Sequence, residues 1–283
     1  MNGRTDLALE AAVDLPNTRG IEQTVAQKGE VTVTRTAVTD EAAARALGKP
    51  AGRYITVEVP PLSDNEERLE QHARLIGEEL AALLPAAGPV LVVGLGNAAI
   101  TPDAVGPQVA DMVLATRHIQ GEWARSMGLD DLRPVAVLHA GVLGKTGVES
   151  GELARGVCRT VQPAAVIAVD ALAARSLSRL GRTVQLCDTG IAPGSGVGND
   201  RLALTSRLLG VPVIGMGVPT VVDAATVVRE LGGTEAEGSA AAMIVTPREV
   251  DVMVRRAARL VAMAINAALQ PDYSPAELVC AAV

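Results

Sequence analysis

Unbroken runs of apolar residues recur along the chain, each bounded by Gly, Pro or a polar cluster. They lie at residues 89–93, 134–138 and 165–169, and further strand-like runs follow at 183–187, 212–216 and 243–246. A short run with no polar interruption predicts a strand buried on both faces of a sheet. Residues 31–36 and 54–59 alternate instead, as half-buried strands do, and Pro60-Pro61 stops the second. These two are expected to pair as an antiparallel flap. Leu69, Ala73, Ile76, Leu80 and Leu83 recur at helical spacing behind a capping box, Ser63-x-x-Glu66. Helices are also predicted at 105–116, at 218–231 and from 247 to about 269, with an exposed loop at 232–239. Strands alternating with helices imply an α/β fold in three layers, a mostly parallel sheet with helices on both faces. We expect one domain over residues 1–283, with 1–60 as a small β appendage and 61–283 as the α/β core.

Composition sharpens this picture in one respect. With 48% apolar residues but no Phe, one Trp and two Tyr, the core of this 283-residue chain must be built from Val, Leu, Ile, Ala and Met. A net charge of -7 argues against a nucleic-acid surface. Cys158, Cys187 and Cys280 are too few and too scattered for a disulfide framework or a zinc site. No run has the form of a signal peptide or the length of a membrane span. A soluble cytoplasmic protein is expected.

Four motifs compete to carry the chemistry. Gly94-Leu95-Gly96-Asn97-Ala98-Ala99 satisfies a dinucleotide fingerprint, but Thr101-Pro102 interrupts the helix that should follow, and the next strand ends at His139 where a ribose-binding carboxylate belongs. Gly141 to Thr146 ends in the Gly-Lys-Thr of a phosphate loop, yet His139 stands where its first Gly is required. Asp188-Thr189-Gly190 is the tripeptide of pepsin-like proteases, here in one copy and in an α/β setting, where a turn with Asp188 bonding nearby amides accounts for it. The glycine-rich loop from Gly194 through Ser195 and Gly196 to Asn199 suits approach to a peptide backbone or an anion.

The pair Asp103 and Asp170 remains. Each follows an apolar core strand, and adjacent parallel strands place their ends on one rim, where ligands gather in open α/β sheets. Two carboxylates close enough to share a proton separate into an acid and a base, the arrangement that hydrolysis requires. Asp at a strand end also serves simply to cap the next helix. His72, His118 and His139 are read as surface or core residues, and no cofactor or metal is required.

With these residues in view, the chain resembles the germination protease family of spore-forming bacteria, atypical aspartic endopeptidases that degrade small acid-soluble spore proteins. The resemblance rests on Arg4-Thr5-Asp6-Leu7-Ala8, Gly94-Leu95-Gly96-Asn97 with Thr101-Pro102-Asp103-Ala104-Val105-Gly106-Pro107, and Ala168-Val169-Asp170-Ala171-Leu172. It continues through Cys187-Asp188-Thr189-Gly190-Ile191, Gly194 to Asn199, Gly215-Met216-Gly217-Val218-Pro219-Thr220 and Met243 to Pro247. It implies that Asp103 and Asp170 are the catalytic aspartates, and that the protein is a homotetramer of the forespore or spore core made as a zymogen with a short N-terminal prosegment. On this reading Gly94, Gly96 and Asn97 shape the rim, while Asp188, Gly194, Ser195, Gly196 and Asn199 surround or face substrate. Ala192 departs from the family pattern, which leads one to expect His. Two alternatives stand beside it. Gly94-x-Gly96-Asn97 with Asp103 is also similar to nickel-recognising hydrogenase maturation endopeptidases, although Ala104 replaces their Glu. The same scaffold also serves as a non-catalytic peptide-binding protein if the loops have lost cleavage.

Overall fold

A nine-stranded mixed sheet runs through the molecule in the computed structural model, which describes residues 5–13, 15, 18–61, 66–194, 201–233 and 243–282, leaving aside the side chains of Glu66, Glu67 and Trp123. The first half of the chain forms α1 (Ala8–Val13), β1 (Ile21–Lys28), β2 (Val31–Val38), α2 (Glu41–Leu47), β3 (Gly52–Glu58), α3 (Glu66–Ala81), β4 (Val90–Leu95), α4 (Val105–Met112), α5 (Gly121–Ser126) and β5 (Val135–Gly141). The second half adds α6 (Leu143–Thr146), α7 (Ser150–Val161), β6 (Ala165–Ala174), β7 (Thr183–Cys187), α8 (Ser206–Leu209), β8 (Val213–Asp223), α9 (Ala224–Glu230), β9 (Ile244–Val245), α10 (Val250–Leu269) and α11 (Pro275–Ala282). The spatial order is β1-β2-β3-β7-β8-β6-β4-β5, with β9 pairing β8.

Strands β8, β6, β4 and β5 are parallel neighbours, and this block carries the site. Its unbroken apolar runs are explained by burial on both sides. Val90, Val92, Ile167, Val169, Ile214 and Met216 face a layer in which α3, α4 and α10 contribute Ile76, Leu80, Val109, Leu260 and Met263. The alternate positions Leu91, Val93, Leu95, Val166 and Ala168 face Ala154 and Cys158 of α7 and Leu209 of α8. Three layers result, as the strand and helix pattern implies. Strands β1, β2 and β3 form an antiparallel ladder, and β3 pairs antiparallel with β7, so this ladder is continuous with the main sheet.

Several boundaries differ from expectation, each for a physical reason. β8 runs on to Asp223 across the first part of the segment expected to be helical, because Val218 to Val222 pair with the far end of β6. The helix starts only where Asp223 caps it, its Oδ1 accepting from Thr226 N at 2.6 Å. β6 does not end at Asp170, as the apolar run leads one to expect, but continues to Ala174. α4 stops at Met112 rather than Thr116, where buried Asn266 of α10 accepts from Leu114 N at 3.1 Å and donates to Met112 O at 3.2 Å. The capping serine Ser63, the loop residues 234–239 and Arg4 lie outside the described residues.

Candidate active site

The end of β4 is shaped by two glycines whose missing side chains let backbone come close. A Cβ on Gly106, in the first turn of α4, would lie 2.2 Å from Leu95 O and 2.5 Å from Val169 O, so only glycine lets this helix end rest between β4 and β6. Gly96 has φ +108°, and a Cβ there would lie 2.1 Å from Asp103 O. The chain therefore folds back on itself, and Asp103 is carried over the strand end by a 3-10 turn, Thr101–Asp103. Asn97 N–H donates to Asp103 Oδ2 at 2.7 Å, and Asp103 N–H donates to Ile100 O at 2.8 Å. From β8, the buried Thr220 hydroxyl donates to Pro102 O at 2.7 Å and clamps the turn from outside.

Asp170 reaches the same place from the neighbouring strand. The pairing of β4 with β6 ends at Gly94 and Val169, so residues 170–174 of β6 overhang it while still pairing with β8. Asp170 is only 4% exposed, and its Oδ1 accepts from Ala171 N at 2.9 Å. Burial first, and then the Asp103 charge, push its carboxyl well above the ordinary 3.8; the N–H groups of Ala171 and Gly194 oppose this only in part. Asp103 is also raised by burial, against the pull of the Asn97 N–H. Both carboxyls line one cleft of about 510 Å³. Gly96, Asn97, Gly141, Leu143, Gly194 and Arg201 share that lining. A smaller space of about 230 Å³ adjoins across Asp170 and Gly194, lined also by Lys49, Tyr54, Gln185 and Cys187. Two carboxyls in one water-accessible cleft, the deeper one driven toward its neutral form, can act as acid and base together.

Other residues singled out in the sequence fall around or away from this cleft. Gly94 lies beneath it, where a Cβ would come 2.4 Å from Gly106 O. Asp188 lines neither space; it accepts from Arg53 N and Arg53 Nε, both at 2.7 Å, and ties β7 to the start of β3. Gly194 borders both spaces, whereas Ser195, Gly196 and Asn199 lie outside the described residues. Ala192 lines the smaller space, and Ala104 is buried. The Gly-Lys-Thr stretch forms the single turn α6 on the cleft wall. His139 is exposed beside Asp111 at 3.7 Å, and His72 lies along α3 with its imidazole pushed down by burial. Among the described residues no cluster of three His, Cys, Asp or Glu is placed to hold a metal ion. Asp6 and Thr220 line the cleft too, and neither was singled out as a site residue from the sequence.

A family profile for germination proteases matches residues 7–231. The chain is 40% identical over 314 aligned positions to a germination protease of Caldanaerobacter subterraneus subsp. tengcongensis, covering 97% of this chain and 96% of that one. It is 36% identical over 315 positions to a germination protease of Clostridium tetani, covering 96% of each. Among solved structures, a NiFe hydrogenase maturation protease from Thermococcus kodakarensis aligns over 66% of this chain and 99% of its own, at 18% identity and a TM-score of 0.38.

Proposed function

The chain belongs to the germination protease family, and on that premise we propose that it is an endopeptidase hydrolysing small acid-soluble spore proteins through Asp103 and Asp170. The observation that carries this reading is the cleft they share, in which the buried Asp170 is pushed well above the ordinary carboxyl range. We assign the proton to Asp170, the deeper and more strongly raised of the two carboxyls, and the ionised role to Asp103, which burial also raises and whose Oδ2 accepts from Asn97 N–H.

In the forward step Asp103 takes a proton from a water molecule as its oxygen bonds to the scissile carbonyl carbon. Asp170 gives its proton to the carbonyl oxygen, so the intermediate is a neutral gem-diol. Asp103 then passes its proton to the amide nitrogen as the C–N bond breaks. Asp170 regains a proton from a gem-diol hydroxyl as the carboxylic acid forms. Every proton is returned, and the pair as a whole holds one proton at the start and at the end of the cycle. By family likeness we further assign a homotetramer acting inside the germinating spore.

Incubation of the purified chain with a small acid-soluble spore protein, followed by intact-mass spectrometry, tests the reading. Internal fragments whose masses sum to substrate plus one water per cut are expected. Intact substrate that co-elutes with the chain would instead identify a peptide-binding scaffold.

A further inference from the structure

Asp6 lies in the segment before α1, far along the chain from both aspartates, yet it lines the same cleft. It grips one residue of β6 with both backbone and side chain. Asp6 N–H donates to Ala173 O at 2.9 Å, and Ala173 N–H donates to Asp6 Oδ2 at 2.8 Å. Ala173 stands in the overhang beyond Val169, where β4 no longer pairs, so Asp6 takes up hydrogen bonds that a further strand would otherwise supply. Its carbonyl accepts from Gln185 Nε2 at 2.8 Å, and Gln185 Oε1 accepts from Ala8 N at 2.7 Å. Gln185 sits opposite Gly217, and Gly217 sits opposite Asp170. One row across β7, β8 and β6 thus joins the anchor of Asp6 to the acid of the pair. Glu10 fixes the segment a second time by accepting from Arg175 N at 2.7 Å.

Holding the chain in place needs only a hydrogen-bond acceptor, which a neutral Asn or Ser also provides. A carboxylate adds a charge, and this one lies on the wall that already carries two acids. We propose that Asp6 is a positioning residue of the reaction: it fixes the β6 overhang that carries Asp170, and its negative charge keeps the shared proton on the aspartate pair. The inference rests on the reading of Asp103 and Asp170 as the reacting pair.

The surrounding charges fit this role. Asp170 faces Asp103 from the turn after β4 and Asp6 from the N-terminal segment, and both raise it. Lys49 borders the smaller space, with Cys187 of β7 and Tyr54 of β3; burial lowers the lysine, while Asp6, Cys187 and Glu10 act to raise it. Glu149 and Arg201 line the larger cleft and lie 3.8 Å apart as an ion pair.

The test is the pH dependence of kcat/KM for the full chain, Asp6→Asn and Asp6→Ser. Both substitutions retain an acceptor for Ala173 N–H and remove the charge. With the charge gone, Asp170 loses its proton at lower pH, so the alkaline limb moves toward acid and activity at the alkaline end falls roughly 3- to 10-fold, with the optimum value preserved. A variant that matches the parent at every pH, or falls by one factor at every pH, overturns the proposal. So does unfolding of both neutral variants, since that assigns the charge to the fold. Asp103→Asn and Asp170→Asn serve as controls. If either cleaves at the parental rate, the reading of the pair fails and the inference with it. If both are inactive while Asp6→Asn keeps the parental limb, the inference alone fails.

Discussion

Gly96 combines a φ of +108° with the near contact of its missing Cβ and Asp103 O, so a side chain there is strained twice over. Gly96→Ala is expected to cost about 1–3 kcal/mol of stability. By shifting the turn it should also lower kcat at least ~100-fold; urea unfolding and initial rates check the two together. Asp170 sets a pH dependence whose sign follows from burial. Its folded carboxyl is raised above 3.8, so between that value and the raised one the folded chain binds a proton that the unfolded chain releases. Stability contributed by this group is therefore full at acid pH and is lost as pH climbs through the window. Asp170→Asn removes the loss: thermal melts should match the parent near pH 4 and exceed it increasingly toward neutrality. The two catalytic candidates were legible because each follows an apolar run. Asp6 was not, since its place depends on hydrogen bonds to a residue 167 positions away.

Among the elements, the strand that leads to Asp103 and the strand that carries Asp170 were readable because two-sided burial leaves no polar interruption in β4 and β6 before Asp170. The same logic misled at β8, whose 11 residues are buried at all but the last position and whose far half reads equally well as a buried helix. Pairing with the β6 overhang decided in favour of strand, and Asp223 placed the helix start. Asp223→Ala should therefore destabilise the chain by about 1 kcal/mol, measured by urea unfolding, through loss of the cap on α9. Strand β1 leaves no pattern in the sequence because it is an edge strand with mostly exposed positions and no alternation. Helices α1 and α2, of 6 and 7 residues, are too short to show a period. They cover Tyr54 and Val38 with alanines and one leucine, and that packing exists only once the sheet has formed.

Across the whole molecule, a core without Phe relies on close approach of aliphatic layers. α10 supplies much of it, with Ala257, Ala258, Leu260, Val261, Ala262 and Met263 all buried. Leu260→Ala should cost about 2–5 kcal/mol through the cavity it leaves, seen as a lower urea midpoint, with kcat at 25 °C unchanged while the chain is folded. That separation of stability from activity is expected because Leu260 is buried in the core and lines neither the cleft nor the smaller space beside it. The central claim, two carboxyls acting as one acid and one base, is tested most directly by cleavage of a small acid-soluble spore protein with Asp103→Asn and Asp170→Asn, each shown by thermal melting to be folded. Both variants are expected to lose cleavage by at least ~100-fold, with chelator making no difference to the parent. A folded variant at either position that cleaves at the parental rate would contradict the claim.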